Sequence, residues 1–285
     1  MDVSTVNSND VREYLNFMRN NYNPRRITGG NERMLTSKSI RNIYITFMSF
    51  FHWASDEFDF PNPMKKVPPP KFTMPVVEPF TQEEVEALLK VCDYSEESRT
   101  MNRRKFRMRW QTAKRDRAII LTLLDTGLRA SELCALRISS ADLRTGKVAV
   151  KHGTQSGAKG GKGRTVYLGK TACEAVWRYL AERVDGEHQD APLFVSRNSR
   201  PFNKDAMRLI IHSLWQRAGV KKCYTHHFRH SFAITYLRSD GDVFTLQILL
   251  GHSTLDMIKR YLYLTNRDIS AVHNRVSPLK NWGLD

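Results

Sequence analysis

Seven of the eleven prolines in this 285-residue chain crowd into one stretch, Pro61–Pro79, which reads PNPMKKVPPPKFTMPVVEP. Each proline fixes φ and removes an N–H donor, so neither a continuous helix nor a central strand can run through it. The stretch predicts a break in the chain: a first domain over 1–60, an extended semi-rigid connector over 61–79, and a second domain over 80–285. A surface loop within a single domain is the competing reading. Lys65 and Lys66 inside the stretch suit a connector that lies along a polyanion.

The flanking regions are helical by pattern. Val11, Tyr14, Leu15 and Met18 follow the 3.6-residue period, as do Ile40, Ile43, Tyr44, Phe47, Phe50, Phe51 and Ala54. Lys38 and Arg41, near the start of the second of these helices, are candidate phosphate contacts, with a solvated face as the default explanation. Beyond the connector, Thr81 followed by Glu84 has the form of a capping box. The run from Ala118 to Leu124 is apolar except at Thr122, which predicts a buried helix stopped by Gly127. Another helix begins near Ala130. Lys147–Lys151 and Arg164–Leu168 alternate as two short strands joined by the basic, glycine-rich GTQSGAKGGKG. Helices are expected at Thr171–Val184, Lys204–Ala218, His226–Leu237, Val243–Leu250 and Ser253–Leu262. The predicted class is mainly α: a small helical N-terminal domain, then a mostly helical domain with a small antiparallel sheet.

Lys and Arg number 45 against 29 Asp and Glu, a formal charge of +16 that favours a polyanionic partner, foremost nucleic acid. The segment Arg99–Arg117 alone carries nine Lys and Arg around Phe106, Met108 and Trp110. It is a basic helix or a basic loop, placed against DNA, a partner subunit or solvent. Cys92, Cys134, Cys173 and Cys223 form no close pair, which argues against a zinc ribbon or disulfide framework. The polar start of the chain and the absence of a long apolar run predict a soluble protein of the cytoplasm with no membrane partner. Lys162 precedes Gly163 where a phosphate-binding P-loop needs Ser or Thr, so ATP binding is not expected.

Three separated segments carry the chemistry: TGLRASEL (Thr126–Leu133), HHFRHSFA (His226–Ala233) and LLGHSTLDMIKRY (Leu249–Tyr261). In this order and at these separations they resemble the tyrosine recombinase family, which includes phage integrases and Xer-type recombinases. The likeness is specific from about Thr81 to Leu264 and a looser likeness of pattern from Val11 to Pro79. It implies Tyr261 as nucleophile on a DNA phosphodiester, with Arg129, His226, Arg229 and His252 around the phosphate. By the family's strand-turn-strand pattern it implies Lys159 as general acid, with Lys162 as the alternative register. Glu132 matches a family acidic position that orients site groups, or is a helix-surface charge. Tyr263 falls outside the motif register.

Those roles make physical sense for these residue types. Cleaving a phosphodiester without metal requires donors on the two non-bridging oxygens, and guanidinium forks match that geometry. Arg129 follows a helix stop that can aim a side chain inward. His226 and Arg229 stand three apart near a helix start, so both are expected to project from one face toward one atom. A phenol with a pKa of about 10 needs nearby cations and a base to attack at neutral pH, and Arg129, Arg229 and His226 would supply both.

The resemblance further implies no metal and no cofactor. It implies a two-domain clamp on duplex DNA, a homotetramer assembled as a dimer per site, accessory DNA-bending proteins and residence at the nucleoid. Arg267–Asp285 is an intersubunit contact or a frayed tail. The first domain opens with one helix fewer than the family pattern, so it is shortened or the chain is a fragment. Three other functions stay open: a topoisomerase of type IB character, a DNA-binding regulator without chemistry, and a metal-dependent nuclease built on the histidines. Against the last, no carboxylate pair or metal-ligand spacing accompanies those histidines.

Overall fold

The computed structural model describes residues 3–25, 34–72, 77–94, 109–151, 163–220, 224–252, 254–255, 261, 273 and 277–283. The chain divides into two compact units, Met1–Val76 and Val77–Asp285.

In the first unit, α1 (Ser8–Asn20) and α2 (Ser37–Phe58) pair through the apolar positions the sequence period picks out. Val11, Leu15 and Met18 of α1 meet Ile40, Tyr44 and Phe51 of α2 in one buried cluster. Asn7 caps α1 by accepting from the backbone N–H groups of Asn9 and Asp10, at 2.8 and 3.3 Å. Met64 and Val67 also belong to this core, which corrects the expectation of an extended connector starting at residue 61. Pro63–Lys66 forms a 3-10 turn with proline at its first position, where a missing N–H costs nothing. The turn is fastened by the Tyr44 hydroxyl donating to Val67 O at 2.9 Å and the Ser8 hydroxyl donating to Pro63 O at 2.7 Å. Two well-placed apolar residues between the prolines thus bind the segment to the small domain. Residues 73–76 lie outside those described.

The second unit is built around α4 (Ala113–Thr126), whose Ala118, Ile119, Ile120 and Leu123 are fully buried. Neighbours on several sides explain why its sequence is apolar around most of the helix. It packs against α3 (Gln82–Asp93), α6 (Lys170–Leu180) and α8 (Thr225–Arg238). The capping box of α3 forms as expected, Thr81 N donating to Glu84 Oε2 at 3.1 Å and Glu84 N to Thr81 Oγ1 at 3.3 Å. α5 (Ala130–Ala135), α7 (Lys204–Ala218), α9 (Val243–Leu250) and the short α10 (Pro278–Asn281) complete the described helices.

A three-stranded antiparallel sheet has the order β1 (Ala141–Asp142), β2 (Lys147–Val150), β3 (Arg164–Tyr167). Val148 faces Val166 across the β2–β3 ladder and both are buried. Arg164 lies in phase with Val166 on β3, so it too points inward. The described half of the basic segment is committed to the fold. Arg115 is buried beside Asp116 at 2.7 Å and donates to Val195 O, and Lys114 pairs with Glu182 at 2.5 Å. Its other half, 99–108, lies outside the described residues, as do most of the predicted helix at 253–262 and most of the tail at 267–285. Among the described residues no helix is long and apolar enough to cross a membrane.

Candidate active site

α4 stops at Gly127, which takes the left-handed conformation at φ 61° and bonds back to Leu123 O. A side chain there would put Cβ 2.6 Å from the Phe232 ring, so glycine is demanded by backbone and packing together. The turn buries Leu128 and delivers Arg129 to the N-terminus of α5. Glu132, 1% exposed, waits one turn further on. Each of its carboxylate oxygens accepts one bond from Arg129 and one from Arg164. Arg129 N and Nη1 donate at 2.8 Å, and Arg164 Nη1 and Nη2 donate at 3.0 and 2.8 Å. Burial pushes the Glu132 carboxyl up, yet the bonds and charge from Arg164, with help from Arg129, hold it below the usual carboxylate range. Glu132 is therefore an ionised, fully engaged strut that aims Arg129.

Arg229, on α8, is 2% exposed. Its Nη1 donates to Gly127 O at 2.9 Å and its Nη2 to Leu250 O at 2.6 Å, with His252 Nε2 at 2.8 Å. Two of these partners are carbonyls at the C-terminal ends of α4 and α9, where a cation is favoured. None of the three carries a negative charge. Burial first, and then the Arg129 charge, push the Arg229 guanidinium down to about 9. That repulsion, partly offset by Glu132, marks the two arginines as neighbours.

Gly251, at φ 63°, ends α9 and turns the chain to His252. A Cβ at Gly251 would lie 2.9 Å from Arg164 Nη1, so this glycine also gives Arg164 its passage to Glu132. Arg164 Nε donates to Leu249 O at 2.7 Å, pinning β3 to the end of α9.

Tyr261 is buried, at 3% exposure, among Ala233, Ile234, Leu237, Leu246 and Leu250. Its hydroxyl lies 2.8 Å from His230 Nδ1, and its phenol acts electrostatically on Arg229. His226 occupies the first turn of α8 and is exposed, whereas Arg229 on the same helix is buried. The His226 ring stacks beside that of His230 one turn on, with centroids 6.0 Å apart, while Arg229 is buried below. His227, which the sequence reading passed over, is tied to Glu78 O at 2.8 Å and packed on Phe80.

Among the residues expected at the site, the structure joins Arg129, Glu132, Arg229 and His252 in one region and brings Tyr261 within electrostatic reach of Arg229. Lys159, Lys162 and Tyr263 lie outside the described residues. In the first unit Lys38, Lys65 and Lys66 are exposed, while Arg41 donates to Pro70 O at 3.1 Å. Arg164 and His230 went unread. The signal for Arg164 is a charged residue in phase with the buried positions of a strand. For His230 it is a second histidine one helical turn after His226.

Residues 78–267 match the model of the phage integrase family. The chain belongs to that family. It is a tyrosine-type site-specific recombinase by the company it keeps. A tyrosine recombinase XerC of Staphylococcus carnosus is 28% identical over 273 residues, spanning 94% of this chain and 81% of the relative. The crystal structure of the XerA recombinase aligns with 25% identity and a TM-score of 0.54, covering 98% of this chain and 86% of that one. An integrase of the Tn1549 transposon, solved in complex with transposon right-end DNA, has the same fold at 19% identity. Its TM-score is 0.71, with coverage of 97% of this chain and 87% of the other.

Proposed function

We propose that the chain cuts and rejoins duplex DNA through a 3′-phosphotyrosyl link to Tyr261, in the integration, excision or resolution of a DNA element. The observation that carries this reading is geometric: buried Arg229 sits 2.8 Å from His252, Arg129 is held by Glu132 at the turn whose Gly127 carbonyl Arg229 also binds, and the Tyr261 hydroxyl lies against His230, the next residue of the same helix. A guanidinium whose charge is poorly compensated gains most from a dianionic, phosphorane-like transition state, and a second guanidinium completes the clamp on the non-bridging oxygens. The Tyr261 oxygen attacks phosphorus, the bond from phosphorus to the 5′ oxygen breaks, and that oxygen leaves with a proton from Lys159. The 5′-hydroxyl of a partner duplex then attacks the phosphotyrosine and releases Tyr261. His226 and His252 are ligands of the phosphate, Glu132 aims Arg129, and a tetramer on DNA brings two duplexes together.

The test is a duplex nicked just 3′ of the scissile phosphate, so that the short fragment bearing the freed 5′-hydroxyl diffuses away and the covalent adduct accumulates. The parent chain is expected to give an adduct that maps to Tyr261, and Tyr261→Phe to bind duplex without forming one. An adduct that persists in Tyr261→Phe overturns the assignment. A parent that binds duplex and never forms an adduct identifies a silent DNA-binding protein instead.

A further inference from the structure

The bond between His230 and Tyr261 has a role that the three sequence motifs do not assign. His230 is 9% exposed and Tyr261 3%, so the 2.8 Å contact between Nδ1 and the phenolic oxygen is shielded from solvent. The rings are tilted at 55° with centroids 5.5 Å apart, so they are not stacked. In the tautomer that carries its proton on Nε2, Nδ1 accepts from the phenol O–H across this contact, which is the arrangement that proton transfer requires. His226, the histidine expected to handle this proton, is exposed, and its ring centroid lies 6.0 Å from that of His230.

We propose that His230 is a catalytic residue, the base that takes the proton of the Tyr261 hydroxyl as that oxygen attacks phosphorus. The inference rests on the reading of Tyr261 as nucleophile. The O–H bond breaks, the proton moves along the existing hydrogen bond to Nδ1, and the oxygen pair forms the bond to phosphorus. The electron pair of the scissile bond departs with the 5′ oxygen, which is protonated by the general acid. On rejoining, the His230 imidazolium returns its proton to Tyr261. Imidazole and phenol differ by about 3.5 pKa units in water, so transfer is unfavourable before attack and becomes favourable as the phosphorus–oxygen bond forms. The described titratable groups around the pair are His226, one turn back on α8, and Arg229, whose charge acts on the phenol and favours its ionised form.

His230→Asn tests this, because an amide oxygen replaces Nδ1 as acceptor but cannot hold the proton. The readout is the single-turnover rate of adduct formation from pH 6 to 8.5, on ordinary duplex and on duplex with a bridging 5′ sulfur. The expected loss is about 100-fold at pH 7, within the usual range for a general base. The deficit shrinks by roughly tenfold per pH unit as Tyr261 ionises unaided, while the parent levels off once imidazole is neutral. The sulfur leaving group needs no acid, so it does not rescue His230→Asn, whereas it does rescue Lys159→Ala. His230→Gln is read in the same way if the asparagine variant fails to melt near the parent. A parent-like pH profile, rescue by sulfur, or transfer of the steep profile to His226→Asn overturns the proposal while leaving Tyr261 as nucleophile. An adduct in Tyr261→Phe instead removes the reading on which the inference stands.

Discussion

Replacing Glu132 with glutamine deletes one charge and changes almost no volume, and its cost follows from the four hydrogen bonds the carboxylate accepts. Each oxygen serves both Arg129 and Arg164. Whichever oxygen becomes the amide nitrogen, two of those bonds are lost and a donor is turned toward donors. At about 1.5–3 kcal/mol for a bond to a charged partner, the loss is about 3–6 kcal/mol, in line with the ~3–5 kcal/mol typical of breaking a buried ion pair. For a unit the size of Val77–Asp285, each kcal/mol moves the melting temperature by about 2–4 °C. The expected fall is therefore roughly 6–20 °C, measured by calorimetry on the full chain at pH 7. The folded carboxyl titrates below its ordinary value of 4.5. Its contribution is thus complete above about pH 4.5 and is lost as pH falls through the lower folded value. The gap between parent and Glu132→Gln should accordingly narrow on the acid side. A shift of less than about 3 °C at pH 7, or a gap of equal size at pH 3, refutes the view of Glu132 as an ionised strut.

Three further outcomes are expected. Phosphate binding favours protonated Arg229, so duplex affinity should decline as pH rises past about 9 at fixed salt, by more in the parent than in Arg229→Gln; anisotropy curves of equal slope in the two refute it. Gly251 and Gly219 share φ 63°, but only Gly251 has a side-chain neighbour, Arg164, in the path of a Cβ. Gly219→Ala should thus cost about 1 kcal/mol and Gly251→Ala about 1–3 kcal/mol more, and equal losses in urea melts remove the steric role assigned to Arg164. Met64→Ala should cost about 2–5 kcal/mol and speed proteolytic cutting within residues 1–76; an unchanged cutting rate would mean that the Pro63–Lys66 turn does not stabilise the first unit.

Long, periodic helices were legible in the sequence to the residue. α7 and α9 span Lys204–Ala218 and Val243–Leu250, the ranges their apolar period and flanking glycines predict. Features set by tertiary contact were harder to read. α6 ends at Leu180 instead of Val184, because Val184 is fully exposed and its apolar side chain mimicked a core position. β1 is two residues long and exists only through its pairing with β2, which leaves no periodic trace. Prolines suggested an extended connector, but they say nothing of Met64 and Val67, whose burial decides the local structure. At the site, the family resemblance implied Arg129, Arg229 and His252, which the fold sets in one region. Spacing along the chain carries no information about which histidine meets the Tyr261 hydroxyl, since that depends on where Tyr261 packs against α8.

The Arg229 bonds to Gly127 O and Leu250 O bear on how an inactive variant should be interpreted. One guanidinium fastens the ends of two helices and, in the proposed reaction, is also the charge presented to the phosphate. Lysine at this place keeps the charge but offers no planar fork to bridge both carbonyls, and any shorter residue leaves them without that donor. Loss of activity at position 229 therefore mixes chemistry with loosening of the frame, whereas removal of the Tyr261 hydroxyl costs the frame only its contact with His230.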